Sequence, residues 1–125
     1  GHPIQKNLVD AGEKKYAVYV GARVSLAHQA QIHGPAYVGN DTFIGMKSMI
    51  FKARVGNNCV VEPGCLVIGV TVADGHYVPA GAVLKTQKDA DELPVISADY
   101  AFKELNSEVV HVNTRLADEY NKIDL

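Results

Sequence analysis

An aliphatic residue stands at every sixth position through most of the stretch from Val20 to Leu84. The series runs Val20, Leu26, Ile32, Val38, Ile44, Ile50, then Val55, Val61, Val67, then Val72, Val78, Leu84. The spacing shortens to five only at Ile50–Val55 and Val67–Val72. An amphipathic helix needs apolar residues three and four apart, and a half-buried strand alternates by two, so a sustained period of six fits neither. It fits a β-helix of hexapeptide repeats, where each unit is one short strand plus a corner and stacked coils bury the repeated aliphatics. Four places after most of these aliphatics comes a modest side chain: Val24, Ala30, Ala36, Thr42, Ser48, Cys59, Cys65, Ala82. These are predicted to fill the narrow space inside each corner. Gly21, Gly39, Gly45 and Gly56 directly follow a repeat aliphatic, where the backbone is predicted to bend and a residue without Cβ is easiest to place.

A chain of 125 residues suits a single domain with a real core. Its formal net charge of −2 gives no electrostatic footprint for nucleic acid or an acidic membrane surface. No apolar run approaches the ~20 residues that span a bilayer, and no charged segment followed by an apolar one marks a signal peptide. A cytoplasmic protein is expected. Cys59 and Cys65 lie one repeat apart, on successive faces of a coil. They lack the C-x₂₋₄-C spacing of a zinc knuckle and read as reduced core residues.

Within the single domain, residues 1–19 read as a leader, 20–86 as the β-helix and 87–125 as a helical closing segment. The polar first fifteen residues suggest a loop or weak edge hairpin leading into Tyr16–Val20. Gly1–His2 and the lack of an initiator methionine read as a tag remnant or a trimmed start. After Leu84, Thr86 with Asp89 three residues on predicts a capped short helix, and Pro94 breaks it. Ser97 and Asp99 are predicted to open a longer helix to about Tyr120, with Phe102, Leu105, Val109, Val112, Leu116 and Tyr120 as its apolar stripe along the side of the β-helix.

The candidate chemistry centres on Ala27-His28-Gln29-Ala30-Gln31-Ile32-His33-Gly34-Pro35. On a helix, His28 and His33 would point ~140° apart, and on an extended strand they would be ~15 Å apart before any corner. Neither arrangement brings both rings of one chain to one metal. If they bind metal, they serve sites shared between neighbouring chains. That predicts a closed oligomer, and a three-sided prism suggests a trimer. Hydrogen bonding at a subunit contact is the alternative reading.

The stretches AVYVG, VSLAHQAQIHGP, DTFIGM, VGNNCVVEP and VPAG, with VVHVNTRLADEY near the C-terminus, resemble the γ-class carbonic anhydrases, especially the archaeal type. They are also similar to the carbonic-anhydrase-like domain of the carboxysome scaffold protein. The resemblance implies an all-β core, a left-handed parallel β-helix with a C-terminal α-helix packed along its side, assembled as a homotrimer. It implies zinc or iron(II) held at each subunit interface, and reversible hydration of CO₂ to bicarbonate. By the same resemblance His28 and His33 match the second and third ligand histidines, one from each of two adjacent chains. Asn113 matches an asparagine beside the metal-bound water and bicarbonate, with an exposed helix position as its alternative. Gln29 and Gln31 flank the ligands, as partners to them or as solvent-facing residues.

Other parts of the family pattern have no counterpart after Gly1. The first ligand histidine, the shuttle glutamate on an acidic loop, an arginine–aspartate ion pair and a glutamine beside the metal all fall upstream of it. The resemblance therefore implies an impaired site, with a third ligand from His111, where the family often has tyrosine, or from water; a surface helix residue is the favoured reading of His111. His2 and His76 match no ligand, and His76 in DGHYVP reads as structural. Three functions stay open: a γ-carbonic anhydrase, a non-catalytic trimeric β-helix scaffold, or a hexapeptide acyltransferase with a histidine general base.

Overall fold

The repeat aliphatics stack in three columns, and the columns define the architecture. Val20, Val38, Val55 and Val72 form one, Leu26, Ile44, Val61 and Val78 the second, and Ile32, Ile50, Val67 and Leu84 the third. The computed structural model describes residues 9–11, 14–102 and 106–107. A short hairpin of β1 (Val9–Ala11) and β2 (Lys14–Tyr16) comes first, antiparallel, with Val9 opposite Tyr16. It is the edge hairpin expected from the polar leader.

Four coils follow. The first holds β3 (Val18–Val20), β4 (Ser25–Leu26) and β5 (Gln31–His33). The second holds β6 (Ala36–Val38), β7 (Phe43–Ile44) and β8 (Met49–Phe51). The third holds β9 (Arg54–Val55), β10 (Val60–Val61) and β11 (Leu66–Ile68), and the fourth β12 (Thr71–Val72), β13 (Tyr77–Val78) and β14 (Val83–Leu84). Strands of like position pair in parallel, giving three four-stranded sheets ordered β3-β6-β9-β12, β4-β7-β10-β13 and β5-β8-β11-β14. Each sheet is one wall of a prism, and the parallel β-helix expected from the period of six is what the chain forms.

The two shortened spacings have a local cause. Val20 pairs with Val38, eighteen residues on, while Val38 pairs with Val55 and Val55 with Val72, each seventeen on. The corner after β5 takes one extra residue and contains a cis Gly34–Pro35 bond. The equivalent corners of the next coils turn on Lys52 and Gly69, both with positive φ. The other corners repeat this device in register: Arg23, Asp41, Asn58 and Gly75 at one, Gln29, Lys47, Gly64 and Gly81 at the next. Left-handed backbone is thus a property of the corner, and glycine is used for it only in coils 3 and 4.

The glycines singled out from the sequence stand where a Cβ has no room. Gly39 and Gly45 do not have positive φ; their task is close approach. A Cβ on Gly45 would lie 2.7 Å from the Val61 carbonyl oxygen and the Glu62 carbonyl carbon of the next coil. At Gly39 it would meet the Asn57 side chain. That asparagine belongs to a ladder. The Asn40 side-chain oxygen accepts from the Ala22 N–H at 2.8 Å, Asn57 from the Asn40 N–H at 2.8 Å, and Asp74 from the Asn57 N–H at 2.7 Å. One corner is stitched from coil to coil by side chains where the strands no longer pair.

The small corner residues behave as predicted. Thr42, Ser48, Cys59 and Cys65 are buried, and their polar atoms satisfy the corner backbone. Thr42 Oγ1 donates to the Gly56 carbonyl at 2.7 Å and accepts from the Cys59 N–H at 3.2 Å, and Ser48 Oγ does the same with Glu62 and Cys65 at 3.0 Å each. Both cysteines are free thiols. His76 takes the next place in the Thr42–Cys59 column, its Nδ1 within 3.0 Å of the Asp74 carbonyl, so it holds a turn.

The two ends of the prism differ. At coil 4 the capped helix α1 (Gln87–Asp91) forms with Thr86 as N-cap and Asp89 completing the capping box, as the sequence predicts. Gln87 then replaces a missing strand: its amide oxygen accepts from the Thr71 N–H at 2.9 Å and its amide nitrogen donates to the Thr71 carbonyl at 2.8 Å. Ala90 and Leu93 pack on the core. At coil 1 the inward residues have no further coil above them among the described residues: Val20 is 40% and Leu26 48% exposed, while Val38 and Ile44 are fully buried.

The long helix expected to open at Ser97 and Asp99 does not begin there. Ser97 to Phe102 form turns, with a Tyr100 N–H to Ser97 carbonyl bond of 3.1 Å. Tyr100 is drawn onto the β-helix instead, its ring stacked on Tyr77 with centroids 4.0 Å apart. Asn106 and Ser107 have helical backbone. Leu105 and the stripe from Val109 to Tyr120 lie outside the described residues.

Burial sets the stability expectations. Ile50→Ala, at a fully buried position, is expected to cost about 2–5 kcal/mol. The same change at half-buried Ile32 should cost clearly less. Gly81→Ala, where an added Cβ meets nothing within 4 Å but φ is +73°, should cost about 1–2 kcal/mol from the backbone alone. Urea denaturation of the three variants checks the order.

Candidate metal centre on the first coil

The turn between β4 and β5 fixes where the histidines go. Gln29 takes φ +62° and the Ala30 N–H closes the turn on the Ala27 carbonyl at 3.0 Å. His28 therefore stands at a corner of the prism, while His33 is the last residue of β5 and stands one corner further on. Both are exposed. Their backbones are tied to coil 2, where the Lys47 N–H donates to the His28 carbonyl at 3.1 Å and the Lys52 N–H to the His33 carbonyl at 3.3 Å. The ladder thus holds both backbone positions while the two side chains lie on the outside of the coil.

His33 also has ring partners. It meets the Phe51 ring edge-on at 6.3 Å between centroids, and Gln31 Oε1 lies 3.2 Å from its Nε2. The amide oxygen accepts from Nε2 in the tautomer that carries its proton there, and that tautomer presents the Nδ1 lone pair outward. Gln31 is thus a partner of His33, whereas Gln29 is a corner residue with left-handed backbone. Among the described residues no three His, Cys, Asp or Glu side chains gather where a metal could be held. Neutral imidazole suits zinc or iron(II) in kind, but one chain's described residues do not suffice in number. His2, His111 and Asn113 lie outside the described residues.

Beside His33 runs a feature the sequence reading did not identify. Along the β5-β8-β11-β14 sheet, residues flanking the inward Ile50 and Val67 point outward, and they are Met49, Phe51, Leu66 and Ile68, continued by Val83. Leu66 is 37% and Val83 46% exposed. The signal was available as apolar residues on both sides of a repeat aliphatic, since an outward wall of a solvated coil has no need of them. A depression of about 450 Å³ lined by Gln29, Gln31, Lys47, Ser48, Met49 and Leu66 lies on the same side.

The remaining ionisable groups serve the scaffold. Arg23 and Asp41, stacked at one corner, form a two-point ion pair of 2.6 and 3.0 Å, which raises the arginine's pKa and lowers the aspartate's through that hydrogen bonding. Burial pushes the Cys59 and Cys65 thiols up, away from the thiolate that reacts.

The four-coil hexapeptide β-helix with AHQAQIHGP on its first coil defines a γ-carbonic-anhydrase-like chain. The sequence comparisons agree: the chain is 55% identical over 122 residues, 98% of its length, to a carbonic anhydrase of Methanosarcina thermophila. It is 49% identical over 90 residues to the carboxysome assembly protein CcmM of Nostoc sp. and 48% identical over 81 residues to that of Synechococcus elongatus, matches that take in 72% and 65% of this chain. The chain spans about half the length of the carbonic anhydrase (49%), and its matches cover 16% and 15% of the two carboxysome proteins. No family model matches it. No helix among the described residues is long and apolar enough to cross a membrane.

Since both thiols are buried and held in the protonated form, neither Cys59 nor Cys65 should react with a thiol reagent in the native protein. Two thiols per chain should react once guanidinium unfolds it, as a colorimetric thiol titration will show.

Proposed function

We propose that this chain forms a homotrimer in which His28 of one copy and His33 of the next face each other across an interface, and that the site supports reversible hydration of CO₂ to bicarbonate. The observation that carries the reading is the placement of two exposed histidines on the first coil, one corner apart, beside an outward apolar wall. Met49, Phe51, Leu66 and Ile68 favour a second copy as the cover of that wall, because burying them against another chain removes apolar surface from water. A closed three-fold ring repeats the same contact three times and leaves none open.

The donor chemistry favours zinc or iron(II) with His28 and His33 as two of its ligands and His111, or a water, as the third. Such a metal would supply the Lewis acidity that CO₂ hydration requires. The chain's own residues do the rest. The coil 1 to coil 2 ladder fixes the two histidine backbones, Gln31 orients the His33 ring through its 3.2 Å contact, and the apolar wall keeps water from the interface. Asn113 is assigned to orienting substrate through its amide. A second reading, a non-catalytic trimeric scaffold, is favoured by the likeness to the carboxysome assembly proteins, which covers 72% and 65% of this chain.

Metal content per chain, measured on protein prepared without oxygen, together with molar mass by light scattering, tests the proposal. About one metal per chain in a trimer is expected. His28→Ala and His33→Ala should each remove it while leaving the fold intact, since neither occupies an inward position. A monomer, or metal content unaffected by one of the two changes, would contradict the shared site. A metal-free trimer would favour the scaffold, and CO₂ hydration assayed beside acetyl-CoA consumption separates the anhydrase from an acyltransferase.

A further inference from the structure

We propose that Glu62 and Tyr100 form a latch that holds the segment Pro94–Phe102 on coils 3 and 4, so that this segment and the coil 4 corner at Ala80 open as one unit. Glu62 follows β10 at a corner of coil 3. One of its carboxylate oxygens accepts from the Ala80 N–H at 3.1 Å, at the matching corner of coil 4, and the other accepts from the Tyr100 hydroxyl at 2.6 Å. A single carboxylate therefore joins two coils and the outer segment. Hydrogen bonds to an ionised acceptor are short and stronger than neutral ones, and the half-buried setting of Glu62 and Tyr100 sharpens this one.

The rest of the segment is held lightly. Its backbone meets the β-helix only at its start among the described residues, where the Tyr77 N–H donates to the Pro94 carbonyl at 3.1 Å and the Ile96 N–H to the Gly75 carbonyl at 2.8 Å. Ser97, Ala98, Asp99, Ala101 and Phe102 are exposed. A cavity of about 330 Å³ is lined by Ile96 together with Asp41, Asn58, Val60, Asn106 and Ser107, so Ile96 borders open space. Few buried contacts and exposed backbone mark regions that open locally. What fixes the segment is Tyr100, through its stack on Tyr77 and its hydroxyl. Burial, followed by the bond to Glu62, keeps that phenol protonated well above the usual tyrosine range.

Amide hydrogen exchange by NMR on the intact protein tests this independently of metal or activity. Tyr100→Phe keeps the stack on Tyr77 and removes only the hydroxyl. Exchange at the Tyr77, Ile96 and Ala80 amides is expected to rise about tenfold or more, with the Val38, Val55 and Val61 amides unchanged. Glu62→Ala, which removes both acceptor oxygens, should raise Ala80 further. Exchange at Tyr77 and Ile96 within twofold of the parent protein in Tyr100→Phe would overturn the latch, as would an equal rise in the core amides. A rise at Ile96 without one at Ala80 would overturn the coupled opening.

Discussion

Everything in this molecule depends on the stacking of inward aliphatics at a pitch of seventeen or eighteen residues. A two- or three-residue strand cannot stand alone, because it makes too few hydrogen bonds for the chain entropy it costs to order. It persists here because each strand pairs with its counterpart in the neighbouring coil, those of coils 2 and 3 on both sides, and because each coil delivers three aliphatic side chains to one axis. The consequence is a rigid wall whose outward positions are free to carry chemistry. His28 and His33 stand at such outward positions, their backbones fixed by ladder bonds and neither side chain filling the core.

The same constraint explains the asymmetry of the ends. A parallel stack exposes unpaired strand edges and a disc of apolar side chains wherever it stops. At coil 4 the chain answers with its own groups: the Gln87 amide imitates a strand, Pro94 to Ile96 pair with the edge at Tyr77 and Gly75, and Leu93 closes the core. At coil 1 Val20 and Leu26 remain open among the described residues. Corners are the other weak point, since the ladder is interrupted there. The Asn40–Asn57–Asp74 series, the Thr42 and Ser48 hydroxyls and the close approach at Gly45 all bind coil to coil at those interruptions.

Much of this was legible in the sequence, and the reasons are physical. The period of six gives the inward columns directly, and the two spacings of five mark the tighter third corner. Thr86 with Asp89 gives the capped helix because a capping box is a purely local device. The turns at Ser97 to Phe102 were not legible, because what competes with the helix there is a long-range contact, the Tyr100 ring on Tyr77 and its hydroxyl on Glu62. That Gly45 has no room for a Cβ fits its place after a repeat aliphatic, but the neighbours that crowd it, Val61 and Glu62, lie in the next coil and show only in the structure. For the candidate site, the sequence gives the two histidines and the impossibility of their meeting within one chain. The apolar wall was signalled there by Met49 and Phe51 around Ile50 and by Leu66 and Ile68 around Val67, but that the two pairs share one outward face follows from the strand pairing.

The central claim is that each site takes His28 from one copy and His33 from another, and subunit mixing tests it most directly. Chains bearing His28→Ala and chains bearing His33→Ala should each lack metal alone. Co-expressed in equal amounts, they form mixed trimers in which one interface in three pairs an intact His28 with an intact His33, so metal should return to about a quarter of the parent level. No recovery in mixed trimers would show that the two histidines do not share a site across an interface.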